Sequence, residues 1–232
     1  MSERASHDKK PLIVCTDLCK SYHDGRGEVR GLDRFSAGFL AGEFAVVTGP
    51  SGAGKSTLLN IVSAIDYPDS GAVLIDGTDL AALSTVEQAD VRARLVSVMH
   101  SDHNLLPMLS VYENISLSLS LLRLPEAEVD HRIRDALAMV EIPDLAHRLP
   151  GALSSGERAR GALARAVAMK TPVLVTDEPT AHLDREHART IALLLRKLAA
   201  EAGVCVVAAT HDPVVSAIAG RVVKIRDGRV EE

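Results

Sequence analysis

GPSGAGKST, residues Gly49 to Thr57, fits the pattern G-x-x-x-x-G-K-[ST], and its flanks supply the context the pattern needs. The run before it, EFAVVTG from Glu43 to Gly49, reads as a buried strand. The run after it, KSTLLNIVSAI, sets Leu58, Leu59, Ile61, Val62 and Ile65 on a broad apolar helical face, which Asp66, Pro68 and Gly71 end. Strand, glycine-rich turn and helix in this order make a phosphate cradle. Gly49, Pro50, Ser51, Gly52, Ala53 and Gly54 shape a loop whose backbone N–H groups can close around phosphate oxygens, and the helix start adds its positive end. Lys55 is placed to hold the β- and γ-phosphates of a nucleoside triphosphate, and Ser56, followed by Thr57, to ligate Mg²⁺.

A cradle of this kind needs a carboxylate for the magnesium at the end of another apolar strand. VLVTDEP provides one: Asp177 can hold Mg²⁺ through water, and Glu178 beside it is placed to polarise an attacking water as general base.

The remainder of the 232 residues is compatible with these two motifs. With 47% hydrophobic and 25% charged residues, the chain can bury one domain, or one domain with a lobe. A formal net charge of -5 offers no general attraction to nucleic acid or anionic lipid, so no nucleic-acid partner is expected. No apolar run approaches the roughly 18 residues a membrane span needs, and TIALLLRKLAA is broken by Arg196 and Lys197. The polar start MSERASHDKK lacks an apolar core; residues 1–10 are expected to form a short disordered tail in the cytoplasm, ahead of a domain over 11–232. Cys15, Cys19 and Cys205 are too few and scattered for a disulfide framework, and Cys15, Cys19 and His23 lack a fourth partner for a tetrahedral metal site.

PLIVCTDL and AVLIDG read as strands. From about 85 to 168 the texture turns helical, in VEQADVRARL, YENISLSLSLLRL, AEVDHRIRDALAMVEI and GERARGALARAVAMK, which suggests an inserted helical lobe. Alternation then resumes with PVLVTDEP, a helix from about Glu186 to Ala202, the strand VCVVAATHD and a closing pair in VVKIRDGRV. The result is an α/β fold around a mostly parallel sheet. Within the lobe, LSSGE sets Ser154 three residues before Glu157, the spacing of a capping box at a helix start.

Together these motifs resemble the nucleotide-binding subunit of an ABC transporter, over nearly the whole chain. GPSGAGKST resembles the family's phosphate loop, LSSGE its signature LSGGQ, and VLVTDEPT its second nucleotide motif; AHLD ending in Asp184 resembles the D-loop, and His211 in ATHD the switch histidine. Tyr22 in KSYHDG stands where the family stacks an aromatic ring on adenine. NLLPMLSVYENI, HRLPGALSSGE and IRDGRV are similar to the branch of lipoprotein-release, macrolide-export and cell-division ATPases. The resemblance implies a P-loop NTPase core with a mostly parallel sheet, a small antiparallel β part and an inserted α-helical lobe. It also implies ATP and Mg²⁺ as ligands, and a homodimer or paired subunit formed on ATP binding. In that dimer Ser154, Ser155, Gly156 and Glu157 would meet the γ-phosphate held by the opposite subunit. An integral membrane permease subunit would be the second partner, and would hold the chain on the cytoplasmic face of the membrane.

Three positions depart from the family pattern. Where members carry glutamine in the loop joining core and lobe, MHSDHNLLP places Ser101, or with a one-residue insertion His100. Serine is too short to reach metal and water directly, which implies slow hydrolysis. Ser155 replaces a glycine but keeps its N–H, and His182 is expected to face solvent, as are His131 and His147. Two functional readings follow: an ATPase that powers export or extraction through a separate membrane subunit, or an ATP-driven regulatory subunit of the cell-division type with weak ATPase. A small-molecule P-loop kinase would share GPSGAGKST but would not need LSSGE, AHLD and ATHD in this order.

Overall fold

The computed structural model describes residues 10–23, 25 and 27–231, so the tail expected over 1–10 lies, except for Lys10, outside the described residues. Along the chain run β1 (Ile13–His23), β2 (Glu28–Phe39), β3 (Phe44–Thr48), α1 (Lys55–Val62), β4 (Ser70–Ile75), β5 (Thr78–Asp79), α2 (Thr85–Leu95) and β6 (Val96–Met99). Then follow α3 (Val111–Leu119), α4 (Glu126–Met139), α5 (Ser155–Ala168), β7 (Val173–Asp177), α6 (Arg185–Ala202), β8 (Cys205–Ala209), α7 (Pro213–Ile218), β9 (Arg221–Arg226) and β10 (Arg229–Val230).

Two sheets result. One has the order β10-β9-β3-β8-β7-β6, parallel from β9 to β6; the other is an antiparallel sheet in the order β2-β1-β4-β5. Successive residues of a strand point to opposite faces, and both faces of the parallel sheet are covered at its centre, which is why β3, β7 and β8 are buried almost throughout. Val46, Leu174, Val206 and Ala208 pack with α3, α4, α5 and α6 in one core, while Val47, Val173, Val175 and Val207 pack with α1 and the antiparallel sheet in the other.

Three local expectations are corrected. The helix after the phosphate loop stops at Val62, because Ala64 turns left-handed (φ 53°) and the Ile65 N–H closes back on the Asn60 carbonyl. Ile65 is then 49% exposed and not part of the apolar face. The stretch 85–168 is not helical throughout: β6 pairs in parallel with β7, and α2 is fastened to the core by Gln88, which donates to the Leu80 and Leu83 carbonyls, and by Arg92, which donates to the Ala64 carbonyl. Finally, β2 was not anticipated. Its alternation is broken by Gly31 and by Arg34 at φ 52°, although Leu32, Phe35 and Phe39 are fully buried.

Candidate nucleotide site

Ligands of parallel α/β sheets sit at the carboxyl ends of the strands. Here β3, β8, β7 and β6 are consecutive neighbours, and each is followed at that end by a segment singled out from the sequence. The phosphate loop follows β3, Thr210 and His211 follow β8, Glu178 follows β7, and His100 and Ser101 follow β6.

These ends open on a cleft of about 420 Å³ whose lining includes Tyr22, Arg30, Ser56, Ser101, Asp177 and Glu178. Ser51, Gly52, Gly54, Lys55 and Thr57 complete the cradle side. Gly54 is the helix cap at φ 104°, and a Cβ there would overlap the Gly31 carbonyl, so only glycine fits. No side chain caps α1, whereas α2, α3 and α5 carry full capping boxes. The first-turn N–H groups of α1 are therefore left for an anion. Lys55 Nζ is folded over the loop and donates to the Gly49 and Pro50 carbonyls at 2.9 and 3.0 Å, while Ala53 is buried beneath it. Ser56 Oγ donates to Asp177 Oδ2 at 2.9 Å, which brings the two hydroxyl and carboxylate oxygens expected for Mg²⁺ side by side. The donor set, oxygen only and retaining room for water, fits that hard cation.

Glu178 sits in a left-handed conformation (φ 46°) that costs a non-glycine residue on the order of 1 kcal/mol. It is held there from three sides. Its N–H donates to the Ala209 carbonyl at 2.8 Å, Oε2 accepts from Thr210 Oγ1 at 2.9 Å, and Oε1 is 2.7 Å from His211 Nδ1. The Thr210 hydroxyl is fully buried and also accepts from the Asp212 N–H, so it is a fixed donor. At the other end, the Tyr22 hydroxyl donates to Asp66 Oδ2 at 2.8 Å, and Lys20 pairs with Asp66 Oδ1 at the same distance. Burial first, and the Asp66 carboxylate with it, push the Tyr22 phenol up, so the ring presents a neutral face to the cleft.

Of the two candidate positions in MHSDHNLLP, Ser101 lines the cleft, and His100 is exposed and does not. Two consecutive left-handed residues, His103 (φ 61°) and Asn104 (φ 42°), carry the chain from there into the lobe. His103 is buried and its imidazole is pushed down in pKa, first by burial and then by Arg158.

The signature residues do not reach this cleft. Ser154 caps α5 by accepting from the Glu157 N–H, and Glu157 returns the bond to the Ser154 N–H at 2.7 Å, as the spacing implied. Those bonds hold the Glu157 carboxyl below its usual range. Asp184 caps α6, accepting from the Glu186 and His187 N–H groups, and is likewise outside the cleft. His182, His131 and His147 are exposed. Among the described residues no group of three or more His, Cys, Asp or Glu is arranged for a metal, and Cys15 and Cys205 are buried thiols pushed up to about 12. Sequence reading missed Thr210, Asp66 and His187. Only Thr210 carried a signal, as a hydroxyl next to the singled-out histidine.

Fold and cleft define a phosphate-loop nucleoside triphosphatase cassette with a helical insertion. A family model described as ABC transporter matches residues 32–181. The chain is 36% identical over 213 residues to the lipoprotein-releasing system ATP-binding protein LolD of Bordetella avium, covering 92% of this chain and 93% of that protein. It is 36% identical over 222 residues to an ABC transporter ATP-binding protein of Thermotoga maritima, covering 96% and 94%. Among solved structures, a dimeric post-hydrolysis state of the ATP-binding cassette MJ0796 bound to ADP and Pi superposes with TM-score 0.86 at 33% identity, over 95% of this chain and 97% of that one. CbiO1 from Clostridium perfringens, part of the transporter complex CbiONQ, superposes with TM-score 0.86 at 29% identity, over 97% and 88%. The chain belongs to the ABC transporter family, as an ATP-binding and ATP-hydrolysing subunit.

Proposed function

We propose that this chain drives export or extraction of a substrate through a separate integral membrane subunit, by a cycle in which two copies close on two ATP molecules and hydrolysis reopens them. The observation that carries the reading is the division of the site. Cradle, Asp177, Glu178 and Ser101 share one cleft, while the helix start at Ser154, which is exposed, lies outside it and is available to a second copy. The dimeric MJ0796 structure supports that arrangement. The kinship with lipoprotein-releasing ATPases supports extraction over the regulatory reading.

In this account the N–H groups of the Gly49–Thr57 loop and Lys55 hold the β- and γ-phosphates, and Tyr22 stacks on adenine. Ser56 and Asp177 would hold Mg²⁺, which would supply positive charge against the charge that develops on the phosphates. Glu178 takes the proton of the water that attacks the γ-phosphorus as the bond to the β-phosphate oxygen breaks. His211, bonded to Glu178, orients that carboxylate. Ser101 lines the same cleft but lacks the reach of an amide side chain, so its contact with water passes through a second water, and hydrolysis by the isolated chain is slow. The permease anchors the subunit on the cytoplasmic face; among the described residues no helix is long and apolar enough to cross a membrane.

Affinity-tagged chain, expressed with its neighbouring membrane proteins and purified in mild detergent, tests this reading. A stoichiometric integral membrane partner that raises the ATPase rate in lipid, and raises it further with a lipid-anchored cargo, is expected. A partner that leaves the rate unchanged with every cargo favours the regulatory role and contradicts transport.

A further inference from the structure

Helices α5 and α6 begin side by side, one from the signature and the other from the Asp184 cap, and a single side chain connects the two starts. His187, in the first turn of α6, places Nδ1 2.7 Å from Asp184 Oδ2. A carboxylate held below its usual range by that same turn accepts only, so Nδ1 is the donor and the ring is fixed in orientation. The ring lies in front of Gly156. A Cβ built there would overlap His187 Cδ2 and stand 3.0 Å from Nε2. Gly156 is thus without a side chain where His187 occupies the volume that a side chain would fill. The His187 side chain is 43% exposed, so this contact lies at the surface, beside the helix start that a second copy would approach.

We propose that His187 is a positioning residue of the shared nucleotide site: tied to Asp184 and seated on Gly156, it holds the signature helix start and the Asp184 loop of one chain in a fixed relation, so that both meet the partner together. This inference rests on the reading of Ser154–Glu157 as a site completed in trans. His187 itself touches no nucleotide in this account. Its effect is on closure of the dimer and not on ATP binding by the single chain, which uses a cleft His187 does not line.

The test uses full-length chain carrying Glu178→Gln, which slows hydrolysis so that closure can be read at equilibrium. Light scattering against protein concentration with Mg²⁺-ATP measures closure, and calorimetry with Mg²⁺-ATP on dilute protein measures binding by the monomer. Adding His187→Ala is expected to raise the protein concentration for half-dimerisation about tenfold, with the monomer's affinity for Mg²⁺-ATP unchanged. His187→Asn, which keeps a donor at the same distance along the side chain as Nδ1, is expected to restore closure, whereas His187→Gln does not. Gly156→Ala is expected to impair closure with His187 present and to add nothing once His187→Ala is made. Equal dimerisation of parent and His187→Ala overturns the proposal. So does failure of His187→Asn to restore closure, or additive losses in the Gly156→Ala, His187→Ala pair. A parent that stays monomeric with ATP removes the shared-site reading, and this inference falls with it.

Discussion

Ser56 Oγ and Asp177 Oδ2 are joined by a 2.9 Å hydrogen bond across 121 residues of sequence. The bond ties the first turn of α1 to the end of β7 and sets side by side one hydroxyl and one carboxylate, a pair that a hard cation would take as ligands. Asp177→Ala is expected to raise the Mg²⁺ concentration needed for tight ATP binding about tenfold or more, while ATP binding without metal changes little. Titration of a fluorescent ATP analogue with and without Mg²⁺ checks this, and an unchanged magnesium requirement removes Asp177 from the metal site.

Lys55 already reaches the Gly49 and Pro50 carbonyls, so its ammonium is pre-placed over the cradle instead of extended into solvent. Lys55→Ala is expected to weaken ATP binding by about 2 to 3 kcal/mol, the worth of a charge-assisted contact, or some 30- to 150-fold. Calorimetry with Mg²⁺-ATP reads the loss directly; equal affinities contradict the phosphate-loop assignment.

Ser101 lines the cleft and His100 does not, so the two positions make opposite forecasts. Ser101→Gln is expected to raise steady-state hydrolysis with little change in ATP affinity, since positioning errors near 1 Å cost about 10² in rate. His100→Gln is expected to leave the rate as it is. Activation by His100→Gln alone, measured with and without the membrane subunit, assigns the loop the other way.

Much of this site could be read from the chain because its parts are local. A glycine-rich turn needs its own neighbours, and the capping box from Ser154 to Glu157 spans four residues. What escaped is non-local or irregular. Strand β6 is four residues between two helices, too short to show a period, and its identity comes from pairing with β7. Ser101 and His100 were inseparable because the left-handed pair His103 and Asn104 sets the loop path. The contact of His187 with Gly156 joins two helix starts that only the packed core brings together.

Acid should expose the capping box. The Glu157 carboxyl is depressed by the Ser154 N–H and hydroxyl, so its stabilising contribution is complete above the ordinary glutamate value of 4.5 and is lost as pH falls through the lower folded value. Wild type is therefore expected to melt above Glu157→Gln near neutrality, with the difference closing in acid. Melting curves by circular dichroism from neutral to acid pH test it. A gap that stays constant into acid contradicts the ionised capping role.

The central claim is that one chain holds only part of each nucleotide site, with Glu178 in the cleft and the Ser154 helix start outside it. Glu178→Gln removes the base, and the rate is expected to fall by about 10² to 10⁴ while ATP affinity persists. Light scattering of this variant with Mg²⁺-ATP is the most direct measurement. The account requires a dimer that forms with ATP, disperses with ADP, and is lost when Ser154→Arg blocks the helix start. A Glu178→Gln protein that remains monomeric at saturating ATP, with hydrolysis unchanged, would contradict both the base and the shared site.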